Sequence, residues 1–172
     1  MWIFGYGSLT WDNWEHEFGC LRKEEAKLLS FRRDFNKAST SRWGTRPDPC
    51  PTLGLESAVG ASCVGMAFEF PDHRSEEILS YLKRREGHDF TLAEGIVHRR
   101  TGSRVRAHIP SNDRHGETYL GNRTIAERVS MARVAVGSAG RCIDYVANIR
   151  QELRSRGIDD ACVEQFWRSV TL

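Results

Sequence analysis

Three places in this 172-residue sequence hold residues suited to proton or anion chemistry. The first is Phe4-Gly5-Tyr6-Gly7-Ser8-Leu9. A strand that runs into a turn with two glycines lets backbone N–H groups approach a ligand closely, and such a nest suits a carboxylate or a phosphate. A dinucleotide fingerprint would need a third glycine where Thr10 stands, then a clear helix and a second parallel strand, and these are missing. An ordinary tight turn fits the same residues equally well. The second place is Glu86, which follows Leu82 by four residues, Leu79 by seven and Ile78 by eight. Helical spacing puts it on the apolar face, at the helix C-terminus, where burial and the helix dipole both disfavour a negative charge. A carboxylate so placed is suited to trading protons near neutral pH. Taken alone, a structural pairing with Arg85 or another arginine is the stronger explanation of Glu86. The third place is Tyr145, whose neighbours Val146 and Ile149 mark a buried helix side. Its ring then packs at the edge of a core and its hydroxyl needs a partner.

These residues need elements to hold them. Trp2–Tyr6 reads as a short buried strand, while Cys20–Lys37 suits a strand or a helix equally. Residues 42–51 carry three of the five prolines and must be loop. Two strands are expected next, Thr52–Glu56 and Cys63–Phe70. A helix capped by Asp72 or Ser75 then runs to about Glu86 and stops at Gly87. Thr91–Arg100 and Ser103–Ile109 form a hairpin across Thr101-Gly102. Helices are expected over about 124–136, 142–156 and 159–170, with Ile125, Val129, Ala132 and Val136 tracing one stripe of the first. Strands first and helices last give an α+β class, and the length fits a single domain, 1–172.

Composition removes several classes of function. With 40% apolar and 28% charged residues the chain is ordinary globular protein, and no apolar run approaches the ~20 residues of a membrane helix. Net charge is +2. Arg99, Arg100, Arg104 and Arg106 form a local basic group, but no aromatic pattern or motif accompanies it, so nucleic acid is not an expected partner. The six histidines and five cysteines lack metal-ligand spacing, so no metal is expected. Cys20, Cys50, Cys63, Cys142 and Cys162 read as small buried thiols of a reducing compartment. The start Met1-Trp2-Ile3-Phe4 has no signal-peptide pattern, so the expected location is cytoplasmic.

Four blocks in register change the weight of these observations. They are Trp2-Ile3-Phe4-Gly5-Tyr6-Gly7-Ser8-Leu9-Thr10-Trp11, then Arg32-Arg33-Asp34-Phe35 leading into Ser39–Pro51, then Tyr81-Leu82 with Arg85-Glu86, then Gly137-Ser138-Ala139-Gly140-Arg141 before Tyr145. The ending Gly157-Ile158-Asp159-Asp160 also fits. Together they resemble the ChaC family of glutathione-specific γ-glutamylcyclotransferases over nearly the whole chain. The resemblance implies a small closed or nearly closed mixed β-barrel flanked by α-helices. It implies that Tyr6, Gly7, Ser8 and Leu9 hold the γ-glutamyl group, that Glu86 is the catalytic acid/base and that Tyr145 contacts substrate. It implies cleavage of glutathione to 5-oxoproline and cysteinylglycine without a cofactor. Two departures bear on substrate more than on chemistry: Arg42-Trp43-Gly44 stands where relatives carry His-Arg-Gly, and Phe90 replaces a tyrosine. The rival expectations are a sister cyclotransferase for γ-glutamyl amino acids or γ-glutamyl-amines, and a non-catalytic small-molecule binding module.

Overall fold

The computed structural model describes residues 1–87 and 90–172. The chain forms two compact units, one of Met1–Arg32 with Glu56–Asp113 and one of Arg33–Leu55 with Arg114–Leu172. Its strands and helices in chain order are β1 (Trp2–Gly5), β2 (Arg22–Ser39), β3 (Cys50–Glu69), α1 (Ser75–Glu86), β4 (Phe90–Arg99), β5 (Arg104–Asn112), α2 (Ile125–Val134), β6 (Val136–Gly137), β7 (Gly140–Arg141), α3 (Cys142–Ser155) and α4 (Ala161–Thr171).

The strands close into a barrel in the order β1-β3-β2-β4-β5. In the first unit β1 runs antiparallel to the end of β3, with Trp2 opposite Glu69 and Gly5 opposite Met66. The start of β2 pairs antiparallel with β4, Ala26 opposite Arg99. β4 and β5 form the expected hairpin, and a parallel contact of Ile3 with His108 closes the ring between β1 and β5. The barrel is therefore mixed, and the α+β expectation with a closed mixed barrel holds. Apolar residues of β1, β3 and α1 fill one core: Ile3, Met66, Phe68, Ile78 and Leu82, joined by Leu9, Trp14, Phe18 and Phe70. Burying side chains of this size contributes about 1.5–3 kcal/mol each.

Several local expectations need correction. The ambiguous stretch after Cys20 is all strand. The two strands expected over 52–70 are one continuous β3, which passes Gly60 with the backbone at φ +78°. Glycine accepts that left-handed value within a strand where other residues resist it. Neither Asp72 nor Ser75 caps α1: a 3₁₀ turn over Asp72–Arg74 runs straight into the helix, and the Ser75 hydroxyl donates to the Asp72 carbonyl at 2.7 Å. The helix instead carries Glu76 and Glu77 in its first turn and Lys83, Arg84 and Arg85 in its last, which suits the dipole. In α2 the stripe is shorter than expected. Val129 and Ala132 are buried, but Ile125 and Val136 are about half exposed, because the helix ends at Val134 and Val136 lies in β6.

In the second unit α2 and α3 pack on α4, and Phe35 stacks on Phe166 with ring centres 4.0 Å apart. Two arginines lie inside it. Arg33 Nη1 donates to Asp160 Oδ2 at 3.0 Å, and Asp160 also caps α4 by accepting from the Val163 N–H at 3.1 Å. Arg128 Nη1 donates to Asp34 Oδ1 at 2.8 Å and to the Phe35 carbonyl at 3.1 Å. The Arg-Arg-Asp-Phe block thus meets the Ile-Asp-Asp ending through the Arg33–Asp160 ion pair and meets α2 through Arg128–Asp34. The cysteine expectation is also corrected. Cys50 and Cys142, both fully buried, form a disulfide that ties the start of β3 to the start of α3. Cys20, Cys63 and Cys162 are not part of a disulfide, and burial pushes the Cys20 thiol up.

Breaking a buried ion pair by removing one partner leaves an unanswered charge, which costs about 3–5 kcal/mol. Asp160→Ala should therefore lower unfolding stability by about that amount, whereas Asp160→Asn, which keeps a cap acceptor, should lose about 1 kcal/mol less. Urea unfolding of the three proteins checks this, and a loss under about 1 kcal/mol for Asp160→Ala would mean that the Arg33 charge is held chiefly by contacts other than Asp160.

Candidate active site

The turn after β1 is fixed at several independent points. Gly5 sits so close to its neighbours that a Cβ there would meet Leu9 and Phe68 at 3.0 Å each. The Tyr6 hydroxyl donates to the Pro110 carbonyl on β5 at 2.9 Å. Ser8–Thr10 make a single 3₁₀ turn, closed by the Thr10 N–H and hydroxyl, which both donate to the Gly7 carbonyl at 3.0 and 2.9 Å. Leu9 drops its side chain into the core, and its carbonyl accepts from Trp14 Nε1 at 3.1 Å. The first amides of any helical turn lack a carbonyl acceptor within it, so such a turn is a ready anion cradle. Trp14 carries the turn onto the helix: its ring lies parallel to Tyr81 of α1 at 5.9 Å and edge-on to Phe68 at 5.5 Å.

The end of α1 brings charge to the same place. Ile78 and Leu82 are fully buried, and Glu86 follows on their side of the helix with its side chain 18% exposed. The preceding Arg85 is 6% exposed and spreads its guanidinium over four groups. Nη1 lies 2.5 Å from Asp12 Oδ2 and donates to the Tyr81 hydroxyl at 3.2 Å. Nη2 donates to Ser8 Oγ at 3.1 Å, and Nε stands 3.7 Å from Glu86 Oε1. Burial alone would lower the proton affinity of Arg85. Asp12, the Tyr81 hydroxyl and Glu86 more than offset this, so it stays charged with its pKa raised.

Of the expected site residues, Ser8 and Glu86 are therefore joined through one buried cation, while Tyr6 and Leu9 anchor the turn that carries Ser8 and Gly7. Tyr145 belongs to the second unit. It is buried, and its hydroxyl accepts from the Leu53 N–H at 3.0 Å, which supplies the expected partner. Its ring packs on Trp43 at 5.5 Å. The departing loop is braced there as well: the Ala139 N–H donates to the Arg42 carbonyl at 2.7 Å, and a Cβ on Gly44 would strike the Cys50 amide nitrogen at 2.4 Å. Sequence reading missed Asp12 and Trp14 and gave Arg85 no role of its own. The spacing of Tyr81 and Arg85 as i and i+4 was a usable signal for one helix face. Asp12 and Trp14 lie in irregular turns, where no period predicts a direction. Among the described residues no group of three or more His, Cys, Asp or Glu is placed to hold a metal ion.

This arrangement, a closed small barrel with an anchored turn beside a helix-terminal carboxylate, defines a γ-glutamylcyclotransferase-like class of fold. A glutathione-specific γ-glutamylcyclotransferase from yeast superposes with a TM-score of 0.88 at 20% identity, over 99% of this chain and 95% of that one. A further γ-glutamyl cyclotransferase structure gives 0.54 at 11% identity, over 97% of each chain. The family model described as ChaC-like protein matches residues 1–171, and the chain belongs to that family. Its relatives include γ-glutamylcyclotransferase 2-3 of Arabidopsis thaliana, 28% identical over 99% of this chain and 88% of the relative. Glutathione-specific γ-glutamylcyclotransferase 1 of Danio rerio is 28% identical over 90% of this chain and 79% of its own length. The glutathione-specific enzyme of Escherichia coli is 26% identical over 99% and 72% respectively.

Removing the Tyr145 hydroxyl leaves the Leu53 N–H buried without its acceptor. Tyr145→Phe should cost about 1–3 kcal/mol of unfolding stability, read from the shift in urea midpoint at constant slope. An unchanged midpoint would show that water or another acceptor replaces the hydroxyl.

Proposed function

We propose that this chain is a γ-glutamylcyclotransferase that cleaves glutathione to 5-oxoproline and cysteinylglycine, with residues 1–172 acting as one functional domain. The observation that carries the reading is the Glu86 carboxylate. It is largely buried at the end of α1 and linked through Arg85 to Ser8 of the Tyr-Gly-Ser-Leu turn, in a chain of the ChaC-like family. The names of the Danio and Escherichia coli relatives support glutathione as substrate.

The reaction is intramolecular. The α-amino nitrogen of the γ-glutamyl group attacks its own γ-carbonyl carbon and closes a five-membered lactam, and the bond from that carbon to the cysteine nitrogen breaks. The protein must first fold the substrate so that amine and carbonyl nearly touch; holding both ends replaces a rare encounter by a resident one. The amine arrives as an ammonium and loses two protons on its way to the lactam N–H, while the departing amide nitrogen gains two and leaves as an ammonium. Glu86 takes and returns them one at a time, the first before attack and the second as the ring closes. No water is consumed and the protons balance. The amides of Gly7, Ser8 and Leu9 suit the substrate α-carboxylate or the carbonyl oxygen as it gains charge. The anchoring of that turn through Tyr6, Leu9 and Thr10 means that little ordering remains for the moment of binding.

Tyr145 enters this reading as a substrate contact on the family resemblance alone. A second substrate, a γ-glutamyl amino acid or amine, is favoured by one observation: Trp43, in the departing Arg-Trp-Gly loop, packs its ring on that tyrosine. No helix among the described residues is long and apolar enough to cross a membrane. The cytoplasm is the compartment proposed, since that is where reduced glutathione is abundant. A disulfide weighs the other way, but Cys50 and Cys142 are both fully buried, which shields them from exchange with small thiols.

Purified protein incubated with millimolar glutathione should release 5-oxoproline and cysteinylglycine in equal amounts. Glu86→Gln, folded by circular dichroism, should lose about 10²–10⁴-fold in kcat. Product from γ-glutamyl amino acids or amines but not from glutathione would select the second substrate. No 5-oxoproline from any of them would reject the reading.

A further inference from the structure

We infer that Arg85 and Asp12 are a positioning pair, which sets the Glu86 carboxylate against the Ser8 turn, with the Arg85 charge held just beyond hydrogen-bond length of it. The inference rests on the acid/base reading of Glu86 and goes beyond it to two residues with no assigned role.

The argument begins with the shape of the guanidinium, a rigid planar fork of five N–H donors. In Arg85 the terminal nitrogens are committed to Asp12, to the Tyr81 hydroxyl and to Ser8. That fixes the plane of the fork and leaves its inner edge, Nε, turned to Glu86. The separation of 3.7 Å lies beyond hydrogen-bond length but well inside the range of strong charge attraction, and Nε donates no hydrogen bond among the described residues. An acid/base must accept a proton and release it again. A carboxylate locked in a two-pronged pair with arginine is poorly suited to that, because its lone pairs are occupied. Asp12 resolves the conflict. Its Oδ2 lies 2.5 Å from Nη1, so it, rather than Glu86, takes the close contact with the cation. Its other oxygen, Oδ1, is buried without a hydrogen bond among the described residues, so this carboxylate is committed to the pair.

A merely structural ion pair predicts different behaviour. For such a pair, removing one partner destabilises strongly, and removing both restores stability together with everything that depends on the fold. For a positioning pair stability returns but turnover does not. The turn itself keeps its other anchors at Tyr6, Leu9 and Thr10, so the defect belongs in kcat rather than in KM.

The experiment measures kcat and KM for glutathione and the urea midpoint for wild type, Arg85→Met, Asp12→Asn and the double variant, with Glu86→Gln as the inactive reference. The double variant should regain most of the midpoint lost by Arg85→Met, while its kcat stays down by about 10²-fold, the scale of a misplaced catalytic group. Its KM should stay within about threefold of wild type. A double variant with wild-type kcat would make the pair structural and overturn the inference. A raised KM with kcat preserved would assign Arg85 to binding and overturn it too. If the double variant does not fold, Asp12→Asn decides: it keeps the shape of the site, and a wild-type kcat there overturns the inference. An active wild type in any of these cases leaves the proposed function standing. A wild type that makes no 5-oxoproline removes both.

Discussion

A guanidinium removed from water must be answered by a carboxylate held at contact distance, because an isolated charge in a protein interior is far more costly than any single packing defect. Both units of this chain are built under that constraint. In the first, Arg85 is answered by Asp12 and borders Glu86. In the second, Arg33 is answered by Asp160 and Arg128 by Asp34. Each pair joins segments far apart in sequence, so each acts as a condition on assembly: the strand or turn and the helix must arrive together or a charge is left stranded. The pairs differ in what they leave over. Those of the second unit cap a helix or hold a strand carbonyl. Arg85 leaves one edge of its fork turned to a second carboxylate, Glu86.

Aromatic packing gives that edge its precision. Trp14 is stacked on Tyr81 and set against Phe68, while its indole N–H holds the Leu9 carbonyl. One side chain therefore fixes the turn to the barrel core and the helix to the turn. Tyr81 then offers its hydroxyl to Arg85. The path from Leu9 to Glu86 passes through rings, which have few rotatable bonds, and through a planar guanidinium held by Asp12, Tyr81 and Ser8.

The fold was legible wherever a period was strong. The helix ending at Glu86, the hairpin across Thr101-Gly102 and the three later helices all follow from spacing and turn residues. The continuity of β3 was not legible, because Gly60 reads locally as a break and only the sheet supplies the reason to run through it. The α2 stripe failed at its ends for a similar reason: Val136 continues the helical spacing but pairs with Arg141 in a small sheet. At the site, the carboxylate on an apolar face was visible as an anomaly of type and position. Its support was not. Asp12 and Trp14 stand in turns whose direction is set by tertiary packing. The Cys50–Cys142 link joins residues whose separation in sequence gives no hint of contact.

The closure of the barrel has a consequence for the order in which the molecule assembles. β1 is the first strand of the sheet, yet its neighbours are the end of β3 and the middle of β5. During synthesis the apolar Trp2–Gly5 segment stays unpaired until the end of β3 has emerged and keeps its other edge open until β5 follows, and pairings between such distant segments are slow to form. The turn that carries Ser8 hangs directly from this strand, and Tyr6 is fastened to Pro110 of the late-arriving β5. The barrel's last seam and the anchoring of that turn are thus one event on the folding path. A chain stalled before β5 joins would expose a sticky edge and leave the turn unanchored, so premature turnover and safe storage of a partial chain are both denied to it.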